Sequence, residues 1–495
     1  MRTAGRALIA IILAGTPGSA VAQVTGSAVA RDTAVQDRIH RVENGLLTPV
    51  IARGASAGMS LADRMRHYNV PGVSIAVIND GRIEWARGYG LLAAGGTTPV
   101  DTATLFQAAS ISKPVAAIGA LRLVEDGTLD LDTDVNSSLA SWQVEKNGHT
   151  RNQYVTLRRL LSHNAGLTVH GFRGYARGEA IPELVQVLNG ERPARSARVR
   201  PDTVPGTLWR YSGGGSSVAQ LLMQDVTGRD FPALMRELVL APAGMVHSGY
   251  EQPLPPERAA NAAVGHRSDG NAVPGGWHTY PEMFAAGLWT TPSDLARLAI
   301  HVQQWFNGRT DGILSPAMTR EMLRRQAGAF GLGFSLEYGD GWLAFSHGGA
   351  NEGYRAMLYA FADRGQGVAI MTSGDAGAQL AGEIIRAVAE EYDWPARQAI
   401  VRDIVPIAAA ELAAFAGYYT GRMDDRTVSV RISIEDGTLR SAGIPIGTRT
   451  LHHAGHDVFF HMDAPAEVRF QRDAQGRVAG LLYVAPGGQQ LRLTR

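Results

Sequence analysis

An α/β domain whose first and last segments share one sheet, followed by a small all-β domain, is the fold class this 495-residue sequence predicts. Three patterns lead there: a hairpin signature before residue 90, two strands and a helix before residue 395, and short alternating runs after about Leu412.

From Pro71 to Gly90, Val73, Ile75 and Val77 alternate, Asn79-Asp80-Gly81 supplies a turn, and Ile83 and Trp85 alternate again; this is a β-hairpin pattern. Ser110 to about Asp126 is rich in Ala, Leu and Val at helical spacing and stops at Gly127. Gly171 to Pro205 is rich in Arg, Gly and Pro with little periodicity and reads as a long surface excursion. A Gly-rich turn at Gly213-Gly214-Gly215 precedes a helix expected over Ser217–Val226, and Phe231–Leu240 and Ser293–Phe306 read as amphipathic helices. Phe345, Tyr354–Phe361 and Gly367–Thr372 read as strands, and a helix over Gln379–Tyr392 ends at Trp394-Pro395. In the tail, Val428–Ile434, Val458–His461, Val468–Gln471, Leu481–Val484 and Leu491–Leu493 alternate between Gly- and Pro-containing turns, as in a barrel or sandwich.

The N-terminus reads as a secretory leader. Arg2 and Arg6 precede a short apolar stretch, Ala7 to Ala14, and Ala20-Val21-Ala22 offers small residues for cleavage before Gln23. The expected organisation is therefore a signal peptide over 1–22, the α/β domain over 23–400 and the β domain over 405–495, with the mature protein secreted or periplasmic. No apolar run approaches the ~20 residues of a membrane span, so no stable membrane anchor is expected. A formal net charge of +1 gives no electrostatic case for nucleic acid. The absence of cysteine excludes disulfides, thiolate metal sites and a cysteine nucleophile.

The strongest chemical signal is Ser110-Ile111-Ser112-Lys113. On a helix, positions i and i+3 share a face, so the amine lies beside the first hydroxyl. A hydroxyl needs an adjacent base to attack at neutral pH, and a desolvated Lys can be that base. Of 47 Lys plus Arg, only Lys113 and Lys146 are lysines. Arg does not release its proton in proteins, so a Lys where base chemistry requires one is informative. Two further elements accompany it. Tyr211 heads the Gly-rich turn after Trp209-Arg210, and a phenol near a Lys is expected to have a lowered pKa and to relay protons. Ser346-His347-Gly348-Gly349-Ala350 closes a strand where small residues admit a substrate backbone and a backbone N–H can face an oxyanion.

Taken together, these motifs resemble the serine β-lactamase and penicillin-recognising superfamily, in the branch of class C β-lactamases, D,D-peptidases, D-aminopeptidases and family VIII esterases. Leu105–Ala109 before Ser110, Leu160-Leu161-Ser162-His163-Asn164-Ala165-Gly166-Leu167 and Ala286–Leu295 are similar to that branch, over roughly Leu61 to Pro395. The resemblance implies an α/β sandwich with a central antiparallel sheet and an all-helical subdomain, and the tail is similar to β-barrel-like C-terminal domains of some members. It implies Ser110 as nucleophile, Lys113 and Tyr211 sharing the base role, and backbone N–H groups of Ser110 and Ala350 as oxyanion hole. It places His347 and Gly349 at the basic residue and glycine of the strand motif, and His170 on the pocket wall. Where many members carry Asn two residues after the Tyr, this sequence has Gly213. Losing that amide removes a hydrogen bond to amide-bearing substrates, worth about 1 kcal/mol. With His in place of Lys on the strand, esters are favoured over β-lactams or D,D-peptides.

No cofactor or metal is expected, and the expected partner is a small-molecule ester or peptide; the sequence leaves the oligomeric state open. Other matches are weaker. Gly54-Ala55-Ser56-Ala57-Gly58 fits a nucleophile elbow but precedes the first convincing hairpin. Asp130-Leu131-Asp132-Thr133-Asp134 lacks the Gly and Glu of a calcium loop, having Val135 and Ser141 there. Gly88-Tyr89-Gly90 lacks a dinucleotide-site context. His452, His453, His456 and His461 read as exposed strand and turn residues. The readings that remain are an ester or amide hydrolase, a β-lactamase or D-amino-acid peptidase, and a protein that captures cell-wall fragments without turnover.

Overall fold

The computed structural model describes residues 33–54, 58–423 and 425–495. The leader over 1–22 and the Ser56 match lie outside the described residues.

The N-terminal hairpin is the start of a six-stranded antiparallel sheet. Its strands are β1 (Gly72–Asn79), β2 (Arg82–Gly90), β3 (Ser335–Gly339), β4 (Trp342–Asn351), β5 (Tyr354–Phe361) and β6 (Gly367–Thr372), in the order β2-β1-β6-β5-β4-β3. The register Val73↔Thr372 through Ile78↔Gly367 joins the first strand to the last, as the sequence predicts. Both faces of β1 are covered. Val73, Ile75 and Val77 pack in one cluster with residues of the helix over 33–44, of Leu61–His67 and of the C-terminal helix, while Ala76 and Ile78 face the helical region. This explains why β1 reads as nearly continuous apolar sequence.

The helical region holds α1 (Ser112–Glu125), α2 (Gly213–Thr227) and α3 (Pro292–Phe306), and α4 (Gly377–Glu391) covers the other face of the sheet. Helix α1 is buried almost all round, and its small residues permit this: a Cβ on Gly119 would lie 3.0 Å from Met235 Sδ. The expected Gly-rich turn before α2 is instead helical. Ser212 Oγ caps the helix by accepting from Gly215 N at 2.8 Å, and Gly214 passes where a Cβ would meet Thr168 O at 2.7 Å. The segment 171–205 is also more than a surface excursion. Tyr175, Val187, Leu188 and Val199 are buried, and Leu184–Asn189 is a short helix.

The tail forms a closed eight-stranded barrel, β7 (Gly417–Met423), β8 (Arg426–Glu435), β9 (Thr438–Gly443), β10 (Arg449–Gly455), β11 (Val458–Phe460), β12 (Glu467–Arg472), β13 (Val478–Val484) and β14 (Gln490–Thr494). Inward side chains such as Val430, Ile432, Leu439, Phe470 and Leu481 fill it, with Leu412 and Phe415 inserted from the preceding segment. Three strands, β7, β9 and β10, lack a clear alternating signature in sequence. Of the tail histidines, His461 is enclosed, against expectation, while His453 Nδ1 and Nε2 approach the carbonyls of Val405 and His456. A short parallel pair, Val50–Ala52 with Ile400–Arg402, joins the two ends of the α/β domain, and Val50 N donates to Met462 O of the barrel segment at 3.0 Å. The Asp130 carboxylate accepts from Asp132 N and Thr133 N, and Asp132 pairs with Arg158, so these acids serve a turn.

Helix α4 is pinned by one buried ion pair: Arg64 Nε and Nη2 reach Glu383 at 2.8 and 2.6 Å, and the Tyr68 hydroxyl donates to the same carboxylate at 2.7 Å. Removing one partner strands the other in the interior. Glu383→Ala is therefore expected to cost roughly 3–5 kcal/mol, read as a lowered denaturation midpoint; a midpoint unchanged within error would contradict this account.

Candidate active site

Ser110 sits in the tight turn Ala109–Ile111 that leads into α1. Ala109 holds a left-handed backbone, φ +49°, a conformation costing a non-glycine residue about 1–2 kcal/mol. Surrounding contacts hold it there. Ser112 Oγ donates to Ala109 O at 2.5 Å and accepts from Leu288 N at 2.9 Å, so the second Ser of the motif clamps the turn to the 285–288 segment.

Lys113 Nζ lies 3.0 Å from Ser110 Oγ and 2.7 Å from the Ala285 carbonyl oxygen. The amine is buried and has no carboxylate partner among the described residues. Burial without a counter-charge penalises the ammonium form and lowers its pKa from 10.5 to about 7. The arrangement puts an amine that is partly neutral at physiological pH against the hydroxyl.

Tyr211 departs from expectation. Its phenol pKa is raised, not lowered: burial dominates, and the hydrogen bond with Ser110 opposes it more weakly. The Lys expected to lower it is neutral at the alkaline pH where the phenol titrates and offers it no opposing charge there. Lys113 Nζ stands 4.9 Å from the Tyr211 ring centroid. The phenol therefore retains its proton in the resting site.

His347 is buried on β4. Its Nδ1 is 2.7 Å from Gly348 O, and burial, then Lys113, lowers its pKa to about 3. It is neutral at physiological pH and carries no charge for a substrate carboxylate. Gly349 is required by close approach: a Cβ there would lie 2.2 Å from Ala108 O, so β4 runs against the backbone that carries Ser110. Strand β3 pairs with β4 only as far as Ser346, leaving 347–351 beyond its end. That is why an interior strand presents an edge. Asn351 Nδ2 secures this end to Gln107 Oε1 at 2.8 Å and to Ala286 O at 3.2 Å.

Ser110, His170, Tyr211, His347, Gly349 and Ala350 line one cleft of about 490 Å³, whose remaining wall includes Trp209, Met357, Ala378 and Ala381. His170 stands 5.2 Å from the Tyr211 ring. Gly213 is not on this wall. Its N–H donates to His170 O at 3.0 Å, and a Cβ would be 3.0 Å from the Phe172 ring, which fills the adjoining space. A wider groove of about 750 Å³ beside Leu61, Met65 and Tyr89 lies elsewhere, where the Tyr89 hydroxyl donates to Glu43 at 2.9 Å.

The residue that sequence reasoning missed is His163. It belongs to the Leu-Ser-His run, but its role needs the fold. With φ +58°, its carbonyl accepts from Arg210 N at 2.8 Å while its Nδ1 accepts from Ser212 N at 3.3 Å. The two neighbours of Tyr211 are thus held by one residue, whose ring also packs against Tyr211, 4.2 Å between centroids and tilted by 36°. Burial, then Lys113, lowers its pKa well below 6.5, which keeps Nδ1 free to accept. His163→Ala should lower kcat roughly 10–100-fold through misplacement of Tyr211 while KM changes little. His163→Gln, able to accept from Ser212 N, should recover part of the loss. Equal losses in both variants, or a change confined to KM, would remove His163 from this role.

The Beta-lactamase family model matches residues 60–393, more than half of the chain. Penicillin-binding protein 4 of Amycolatopsis lactamdurans is 26% identical over 369 residues, covering 69% of this chain and 93% of that protein. Among solved structures, the octameric penicillin-binding protein homologue from Pyrococcus abyssi aligns with a TM-score of 0.60 at 19% identity, covering 88% of this chain and 98% of that one. The D-amino acid amidase from Ochrobactrum anthropi SV3 aligns at 0.54 and 18% identity, covering 67% and 98%. With a matching family model over the sheet, α1 and the cleft, the chain belongs to the β-lactamase family of serine hydrolases.

Proposed function

We propose that this chain is an exported serine hydrolase that cleaves a carboxylic ester or peptide-like amide through an acyl-serine on Ser110. The observation that carries the reading is the uncompensated Lys113 amine, 3.0 Å from the hydroxyl. Neutral Lys113 takes the Ser110 proton as Oγ attacks the acyl carbon, and backbone N–H groups of Ser110 and Ala350 receive the oxyanion. As the tetrahedral intermediate collapses, the Tyr211 phenol passes its proton to the leaving oxygen or nitrogen and regains one from Lys113. Water then enters by the same route, giving one proton to the Lys113–Tyr211 pair as it attacks the acyl carbon, and the pair returns that proton to Ser110 Oγ as the acyl C–O bond breaks and the acid leaves. Tyr211 thus acts as relay, since its raised pKa leaves Lys113 as the resting base.

The cleft favours esters with apolar acyl groups. Trp209, Met357, Ala378 and Ala381 offer an apolar wall, His347 is neutral, and Phe172 occupies the space beside Gly213 where an amide side chain would extend. Similarity to a penicillin-binding protein supports a second substrate class, β-lactams and D-amino-acid peptides, which ranks behind esters on these grounds.

Because Lys loses its proton as pH rises, kcat/KM should climb through about pH 7 and level above it. Lys113→Arg keeps the charge and should lower kcat at least about 100-fold, and Ser110→Ala should lower it about 10³-fold or more. A panel of nitrophenyl esters, a chromogenic cephalosporin and D-alanyl peptides, read beside fluorophosphonate labelling, tests the reading. Labelling of the Ser110→Ala variant equal to wild type, or no turnover of any substrate, would overturn it.

A further inference from the structure

Behind the turn that grips Lys113 lies a cavity of about 100 Å³ lined by Phe172, Tyr175, Arg195, Ser196 and Glu282, with Gly171, Arg173 and Gly174. Glu282 is fully buried, and neither carboxylate oxygen has a hydrogen-bond partner. Ser196 Oγ, also buried, is likewise unpartnered. A small, partly open space is thus bordered by three unsatisfied acceptor atoms, an arrangement that is costly unless something satisfies it. Tyr175 adds an aromatic wall.

Arg195 does not fill this role. Its guanidinium is held by Glu179 and, at 3.4 Å, by Gly174 O, and it lies 5.5 Å over the Tyr175 ring. The Tyr175 hydroxyl accepts from Arg195 N at 3.3 Å, and the Tyr280 hydroxyl is directed to Arg173 O at 3.4 Å, so neither phenol reaches the carboxylate.

We propose that this cavity binds a compact ammonium ion, either ammonium itself or one no larger than methylammonium, through the Glu282 carboxylate and Ser196 Oγ. Three acceptors match the three N–H donors of a primary ammonium, and the carboxylate supplies the opposing charge. The site bears on the hydrolase centre through one turn. Ala285 N and Ala286 N both donate to Glu282 O, while Ala285 O holds Lys113 and Ala286 O holds Asn351. An ion on Glu282 steadies the carbonyl that fixes the amine.

Tyr175 and Tyr280 lie within the field of the Glu282 carboxylate, and Arg173 and Arg195 line the same cavity. Burial raises the Glu282 pKa from 4.5 to about 7, so the carboxylate that binds the ion predominates above neutrality and is lost as pH falls.

Thermal unfolding of the full chain at constant ionic strength, in ammonium, methylammonium, potassium, sodium or choline chloride, tests this without reference to catalysis. At pH 8, ammonium and methylammonium should raise Tm by about 2–4 °C over choline in a saturable way. The increment should vanish at pH 5.5 and in Glu282→Gln, and Ser196→Ala should raise the half-saturating concentration about tenfold. Where Glu282→Gln does not fold, ¹⁵N-ammonium spectra of the wild type should show a bound resonance that Ser196→Ala weakens. Equal Tm in ammonium and choline, an effect matched by potassium, persistence in Glu282→Gln, or an unchanged midpoint in Ser196→Ala would each overturn the proposal.

Discussion

A single amine withdrawn from water without a counter-ion governs this molecule. Lys113 is fully enclosed, and the oxygens it touches are the Ala285 carbonyl and the Ser110 hydroxyl. Any nearby carboxylate would return its pKa toward 10.5 and leave the amine protonated at neutral pH. The rest of the site follows from that restriction. Neighbouring titratable groups, His163 and His347, are held neutral by burial and by the residual charge of Lys113.

Enclosing the amine requires several chain segments to meet at short range. The nucleophile turn accepts a strained Ala109, β4 accepts a glycine at 349, and Ser112 and Asn351 bind both to the 285–288 segment. Each of these contacts fixes the position of the hydroxyl or the amine. The buried α1, with small residues along its length, brings the motif into the core between sheet and helices.

Much of this was legible in sequence. Helical spacing placed Lys113 beside Ser110, the hairpin turn fixed β1 and β2, and the strands Tyr354–Phe361 and Gly367–Thr372 fall at the expected residues. Less was legible where tertiary contacts override local preference. Three consecutive glycines read as a turn, but they form the first turn of α2, capped by Ser212, and Gly214 lies where a Cβ would meet Thr168 O at 2.7 Å. The arginine-rich segment 171–205 read as exposed, yet isolated apolar residues such as Val187 and Val199 anchor it without any periodic pattern.

The sequence by itself put Ser110 and Lys113 side by side, since residues three apart across the tight turn that enters α1 are neighbours. It also determined the sheet and the β character of the tail, which follow from short-range alternation and turns. Tertiary structure decided the ionisation states, because desolvation is a property of everything packed around a group. It decided that Tyr211 keeps its proton, that His163 holds it in place, and that Glu282 faces a cavity unpaired. Those facts depend on segments far apart in the chain, and no local pattern encodes the distance between them.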